Sequence, residues 1–337
     1  MKRNSIVYTS PSVAELLCED CPALGAGEVL VKLERSTISA GTERANLVGD
    51  PNVSPVKGVP VEFPRRSGYS SAGIVEAVGE GVTELAVGDR VAMSWSCHSD
   101  YCVMKAENVY KLTDRVSFAA GALVHIATFP LAAIRKCRLE IGESALVMGL
   151  GVLGIISIGL LRAAGAAPII AVDPVAEKRE FALKLGADYA LDPFAPGFAE
   201  RAIELSGGGV DVAIEITGNG GGMDMALDCL KRFGRMALLG CTRNSDFSID
   251  YYRKVHGRGV TLVGAHTIAR PKLESSAGWW TERDDAKAVI RMLDLGRIEF
   301  DSLIEEVHSP REATEVYGRL AKERAFPLVQ FDWSLIK

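Results

Sequence analysis

From Ser5 to about Val124, apolar residues either alternate with polar ones or gather into short β-branched runs. Examples are Ile6-Val7-Tyr8, Val29-Leu30-Val31-Lys32-Leu33, Gly73-Ile74-Val75-Glu76-Ala77-Val78 and Arg90-Val91-Ala92-Met93. Clusters of Gly, Pro, Asn and Asp separate them, which predicts short strands joined by turns in an irregular barrel. From about His125 to His266 the period changes. Strand-like runs at 145–148, 168–172, 210–214, 236–239 and 260–263 are interleaved with helical spacing from Val152, through Lys184 and over 223–232. That alternation predicts a parallel sheet with helices on both faces. The tail returns to mixed structure, with helical spacing at 284–295 and 310–322 and a closing strand at 326–331. The expected architecture is α/β: a β-rich domain split over 1–124 and 267–337, enclosing a doubly wound domain over 125–266.

Length agrees, since 337 residues exceed one compact core and suit two domains. A net charge of −5 argues against a nucleic-acid or anionic-membrane surface, where clustered cations would be needed. The most apolar stretch, 145–167, is interrupted by Ser157, Arg162 and five glycines, so it reads as buried strand, turn and helix rather than a membrane span. The N-terminus runs straight into a strand with no secretion signal, and the seven cysteines (18, 21, 97, 102, 137, 229, 241) are scattered. Together these point to reduced thiols in a cytoplasmic compartment. A proline-rich loop over 49–66, containing Pro55, Gly58 and Arg65-Arg66, is either a solvated surface or an edge of the substrate site.

The decisive segment is Val147-Met148-Gly149-Leu150-Gly151-Val152-Leu153-Gly154, where a buried strand ends in a GxGxxG turn that opens a helix. Gly149 permits the tight turn, Gly151 lets the backbone approach a pyrophosphate, and Gly154 lets helix and strand pack closely. Val152 and Leu153 open the helix, whose N-terminus offers N–H groups and partial positive charge to phosphate. A second strand ends in Asp173, 19 residues beyond Gly154. There a carboxylate can accept from ribose hydroxyls and would repel a 2′-phosphate, so NAD(H) is expected over NADP(H). Lys178, a turn further on, either touches the ribose edge or is solvated. Thr217-Gly218 and Gly240-Cys241-Thr242 end two further strands at the ligand-binding edge of such sheets.

These residues resemble the medium-chain dehydrogenase/reductase superfamily, the alcohol and polyol dehydrogenases with a GroES-like catalytic domain. The likeness rests on Gly68-Tyr69-Ser70-Ser71-Ala72-Gly73-Ile74-Val75-Glu76-Ala77-Val78-Gly79, on Val87-Gly88-Asp89-Arg90-Val91 and on the dinucleotide turn. It implies a GroES-like domain joined to a Rossmann domain, a small-molecule substrate, and a homodimer or homotetramer. Zinc-dependent members carry Gly-His-Glu where this chain has Gly68-Tyr69-Ser70. Their first cysteine ligand corresponds to Gly41, and their last falls at Val124. Glycine and valine supply no metal donor, so no metal is expected. The four-cysteine structural zinc lobe is missing too, leaving Cys97 and Cys102. Cys18-Glu19-Asp20-Cys21 has metal or redox spacing without a second pair. The Gly-Thr-Glu-Arg string and the closing Phe326-Pro327-Leu328 with Asp332-Trp333 resemble the bacteriochlorophyllide dehydrogenase-like and threonine dehydrogenase-like branch.

Without zinc, other groups must handle the alcohol proton while hydride leaves for the nicotinamide. Tyr69 is the candidate to hydrogen-bond the substrate oxygen and Glu43 to accept a proton. Arg44 is a candidate to stabilise an oxyanion or hold Glu43 ionised, and His125 is a second proton carrier. Thr128 falls where family members touch the nicotinamide. The competing readings are structural: a Glu43–Arg44 ion pair at a helix start, and a His125 packed at the domain junction. His266 is a weaker ligand candidate than these. Trp279-Trp280 reads as a sugar-stacking platform or as interface filling. The expected activity is zinc-independent, NAD(H)-dependent interconversion of a secondary alcohol and a ketone on a polyol, sugar or related polar compound. Arg44, Arg65 and Arg66 leave room for an acidic one. The alternatives are a quinone- or enoyl-reductase-like enzyme, which Asp173 disfavours, and a non-catalytic NAD(H)-binding redox sensor.

Overall fold

Strand β1 (Lys2–Ser10) buries Ile6, Val7 and Tyr8 and pairs antiparallel with β2 (Val13–Asp20). In β3 (Glu28–Thr37) the period-2 pattern turns Val29, Val31 and Leu33 to the core. Helix α1 (Ala40–Val48) follows and is closed by Gly49 in the left-handed region, a conformation glycine adopts without penalty. Next come β4 (Arg65–Arg66), β5 (Ser70–Val78), β6 (Arg90–Ser94), β7 (Tyr101–Lys105) and β8 (Val109–Lys111), then α2 (Phe118–Gly121) and α3 (Val124–Lys136). The computed structural model describes residues 1–53, 59–242, 244–323 and 325–336, so Pro55 and Gly58 of the proline-rich loop lie outside the described residues.

The middle of the chain alternates as expected: β9 (Ala145–Met148), α4 (Val152–Ala163), β10 (Ile169–Val172), α5 (Ala176–Lys184), β11 (Tyr189–Leu191), α6 (Phe198–Leu205), β12 (Val210–Glu215), α7 (Gly220–Cys229), β13 (Leu230–Leu238), α8 (Tyr251–Lys254) and β14 (Thr261–Gly264). Its six strands pair in parallel throughout, in the order β11-β10-β9-β12-β13-β14. This is the doubly wound arrangement whose ligand crevice opens beyond β9, where the order reverses. Strands β9 and β10 are buried along their whole length, which explains their unbroken apolar runs. The chain ends with α9 (Glu282–Asp294), β15 (Glu306–His308), α10 (Ala313–Lys322) and β16 (Val329–Asp332).

The chain divides into two compact units, Met1–Ile126 with Ala286–Lys337, and Ala127–Asp285. In the first, β16 lies antiparallel on β3, and Tyr317, Leu320, Phe331 and Trp333 from the tail share one core with Ile6, Val31, Leu33 and Val75. The units divide at 285/286 where the sequence pattern indicated 266/267. The physical reason is a set of cations on α3 that fasten the intervening segment to the second unit. Lys136 Nζ donates to the carbonyls of Gly264 (3.1 Å) and Ala269 (2.6 Å), and Arg135 Nε donates to Asp285 (2.9 Å). Helix α3 itself was hidden in the sequence by Pro130, which stands inside it.

Candidate active site

The turn after β9 has the geometry its glycines require. Gly149 sits at φ 100°, and a Cβ at Gly154 would lie 2.1 Å from the Gly149 carbonyl, so helix and turn pack too tightly for any side chain. Gly151 differs: a Cβ there would meet nothing within 4 Å. It is the N-cap of α4 and supplies no side-chain cap, so Val152, Leu153 and Gly154 begin the helix before an open cradle. A helix N-terminus with such space in front is an anion site. The buried Asp173 carboxylate accepts from Leu150 N and from Val175 N, both at 2.9 Å, which ties the tip of β10 to the glycine turn. A carboxylate has about four acceptor positions, so two remain for a ligand's hydroxyls. Arg179 is turned away, donating to the Asp173 carbonyl at 2.7 Å, and Lys178 is half-buried on the first turn of α5. These residues fit an adenosine ribose and a pyrophosphate.

Sequence reasoning missed Glu215, at the end of β12. Its carboxylate accepts from Thr217 N (2.7 Å), Gly218 N (3.2 Å) and the Thr217 hydroxyl, and burial raises its pKa. This holds Thr217 against the turn, where its methyl group would touch a Cβ at Gly149. An acidic residue closing the apolar run Val212-Ala213-Ile214 was the available signal.

In the first unit, the antiparallel register of β5 and β6 pairs Ser70 with Ser94, which places Tyr69 opposite Trp95; Trp95 N donates to the Tyr69 carbonyl at 2.8 Å. The hydroxyls of Ser70 (2.7 Å) and Thr37 (2.9 Å) both donate to the Ala122 carbonyl, anchoring the segment that carries His125. The buried His125 imidazole meets the Tyr69 ring at 5.5 Å and the Trp95 ring at 4.6 Å, edge-on to both. Trp95 is 44% exposed and held at φ 62°, a strained conformation of the sort found at ligand sites. Thr128 is buried in the second unit, and its carbonyl accepts from Arg270 at 3.0 Å.

Glu43 lies on α1. It is buried, and its carboxylate accepts from Ser39 N (2.9 Å), His98 Nε2 (3.1 Å), Tyr8 OH (3.2 Å) and Tyr317 OH (2.5 Å). Ser36 Oγ lies 2.7 Å from His98 Nδ1 and accepts from Trp333 Nε1 at 2.8 Å. The hydrogen bonds form a continuous chain in which Trp333 donates to Ser36, Ser36 to His98 Nδ1 and His98 Nε2 to Glu43. Burial and the Glu43 charge push both phenols well above the usual tyrosine range. Glu43 is thus the hub of a buried network, its carboxylate shared among Ser39, His98, Tyr8 and Tyr317.

Arg44 is corrected. Its Nε donates to the Leu320 carbonyl (2.6 Å) and its Nη2 to the Glu323 carbonyl, where it satisfies the last carbonyls of α10 rather than Glu43 or an oxyanion. Arg66 is held by Glu19, whose carboxyl it pulls down to about 2. Neither arginine stands free for an acidic substrate. Arg135 covers the Trp280 ring at 3.6 Å and Lys136 the Trp279 ring at 4.9 Å, so these tryptophans serve cations on α3. His266 is exposed and its Nδ1 accepts from Ile268 N at 3.3 Å.

A zinc does not fit the positions that correspond to the lost ligands. Gly41 and Val124 carry no donor and the Tyr69 ring packs on His125; among the described residues no group of three His, Cys, Asp or Glu side chains could hold a metal ion. Nor, among them, is any helix long and apolar enough to cross a membrane.

A phosphate-ready turn on a parallel sheet, carried with a barrel-like β unit, is the design of a nucleotide-dependent oxidoreductase. Residues 25–137 match the alcohol dehydrogenase GroES-like domain, and residues 152–280 match the zinc-binding dehydrogenase family. The chain belongs to the zinc-type medium-chain dehydrogenase/reductase superfamily, whose members use NAD(P) and act on small molecules. L-threonine 3-dehydrogenase of Pyrococcus abyssi is 28% identical over 338 aligned positions, covering 90% of each chain. D-guloside 3-dehydrogenase of Escherichia coli is 25% identical over 332, covering 93% of this chain and 94% of that one. The crystal structure of 2R,3R-butanediol dehydrogenase from Bacillus subtilis superposes with a TM-score of 0.83 at 24% identity, covering 98% and 99%, a likeness of fold.

Proposed function

We propose that the chain is a zinc-independent, NAD(H)-dependent dehydrogenase that interconverts a secondary alcohol and a ketone on a polyol, sugar or related polar compound, as a cytoplasmic homodimer or homotetramer. The observation that carries this reading is the Tyr69–His125 contact beside the exposed Trp95 indole, with Tyr69 at a position, and His125 next to a position, where zinc-dependent members carry ligands. Bound NAD(H) would supply the hydride acceptor or donor. Its adenosine ribose would be held by Asp173 and Lys178, its pyrophosphate by Gly151, Val152, Leu153 and Gly154, with Gly149 and Thr217 shaping the turn. Tyr69 would hydrogen-bond the substrate oxygen and His125 take up or return the proton, a role suited to imidazole near neutral pH. Thr128 is kept as a nicotinamide contact. Glu43 and Arg44 drop out of the chemistry for the reasons given above. The guloside and butanediol named for relatives carry several hydroxyls or two, which supports the substrate class, and an indole face suits the C–H face of a sugar ring.

The test is NAD reduction with a panel of polyols and NADH oxidation with ketoses, with and without chelator. The expected outcome is turnover that chelators leave unchanged and that Tyr69→Phe lowers about 100- to 10,000-fold in kcat. Loss of turnover on chelation, or full turnover in Tyr69→Phe, defeats the proposal.

A further inference from the structure

The loop between β6 and β7, with the start of β7, carries two thiols that the chemistry above leaves unused. Cys97 Sγ and Cys102 Sγ lie 3.2 Å apart, and neither is bonded to another cysteine. A disulfide requires about 2.05 Å, so roughly 1 Å of closure would join them. Their environments differ. Cys102 is buried on β7, whereas Cys97 is half-buried on the loop. The hydrogen bond from Cys102 and the positive charge of Arg3 and Arg66 bring the Cys97 thiol down to about 7, against its burial. Cys102 is pushed well above the usual thiol range by that same pairing and by burial. Arg3 and Arg66 are fixed in place by Glu19, and Cys21, whose pKa burial raises, is the remaining thiol close enough to sense Cys97.

We propose that Cys97 and Cys102 form a reversible thiol–disulfide site oxidised by a hydroperoxide, with Cys97 as the attacking sulfur and Cys102 as the resolving one. The Cys97 thiolate attacks the peroxide, the O–O bond breaks, and Cys97 becomes a sulfenic acid while hydroxide or an alkoxide leaves and takes a proton from water. The Cys102 sulfur then bonds to Cys97, gives up its proton and displaces the sulfenyl oxygen as water. The two thiols lose two electrons and one peroxide is reduced. The site does not depend on the dehydrogenase reading.

The experiment titrates the reduced full-length protein with hydrogen peroxide, counts remaining thiols with a chromogenic disulfide reagent, and maps tryptic peptides without reduction. Cys97 and Cys102 share one tryptic peptide, 91–105. The expected result is loss of two of the seven thiols, recovery of that peptide two hydrogens lighter, and full return on adding dithiothreitol. Cys102→Ser should leave Cys97 as a sulfenic acid that dimedone captures. A peptide pair linked through Cys21 and Cys97, sulfinic acid at Cys97 in the unaltered protein, or oxidation of Cys18 and Cys241 ahead of Cys97 overturns the proposal. If Cys102→Ser does not fold, the map of the unaltered chain decides.

Discussion

Replacing Asp173 with asparagine keeps the side chain's shape and removes its charge, so it isolates the electrostatic part of nucleotide selection. In the structure the two carboxylate oxygens are each used once, by Leu150 N and by Val175 N. Asparagine has one oxygen, so one of these N–H groups loses its acceptor, at a cost to stability of about 1–3 kcal/mol. On the ligand side, a hydrogen bond from a ribose hydroxyl to a charged acceptor is worth about 2 kcal/mol more than none. Its loss therefore weakens NADH by about 30-fold, since about 1.4 kcal/mol is tenfold. A 2′-phosphate would meet the carboxylate at about 4 Å, where each unit of like charge costs up to about 4 kcal/mol near a protein surface. Asp173→Asn relieves that repulsion, so the preference for NADH over NADPH should shrink by at least about 100-fold. Calorimetric titration of both nucleotides into both proteins measures the ratio, and thermal melting confirms that the variant is folded. An unchanged ratio, or tighter NADPH than NADH binding in the unaltered protein, refutes the reasoning.

The glycine turn offers a paired contrast. Gly151→Ala should fold with unchanged stability and lose nucleotide affinity, whereas Gly154→Ala should lose about 1–3 kcal/mol or more of stability to overpacking, read by urea unfolding. Equal stability losses would contradict the close packing found at only one of them. In Glu43→Gln one oxygen must serve four buried donors, so each donor left over costs about 1–3 kcal/mol, again measured by urea unfolding; unchanged stability would remove the network from the account. Burial raises the Asp285 carboxyl to about 6 against the pull of Arg135 and Arg270. Between about pH 4 and that value the folded chain keeps a proton that the unfolded chain has released. This contribution is full below about pH 4 and falls as pH rises, so subtracting Asp285→Asn from the parent should leave a difference in stability that declines across the window.

The parts of this molecule that were legible in its sequence are those made by neighbours along the chain. Strand β9, the turn at Gly149 and the start of α4 at Val152 depend on a dozen consecutive residues, and Asp173 follows at a distance set by one helix and one strand. Helix α3 was obscured by a single proline, and the end of the parallel unit was misplaced because cation contacts, rather than apolar periodicity, hold 267–285 to it. Arg44 was misread for a related reason: its targets, the Leu320 and Glu323 carbonyls, lie 276 and 279 residues away. Trp95 opposite Tyr69 could have been found by setting β5 and β6 in antiparallel register, but no local motif marks it.

His98 illustrates why side-chain chemistry alone was an insufficient guide to Glu43. The hub draws on Tyr8 from β1, Glu43 from α1, His98 from the β6–β7 loop and Tyr317 from α10, four segments with no shared motif. Its geometry nevertheless bears on Tyr69. Gly68 stands at φ 87°, and a Cβ there would meet the His98 ring at 2.7 Å, so that ring is packed directly on the backbone preceding Tyr69. Ser36 and Glu43 hold the imidazole at both nitrogens and leave it no freedom to rotate away. The buried carboxylate of Glu43 therefore bears on Tyr69 through the position of a ring and a glycine.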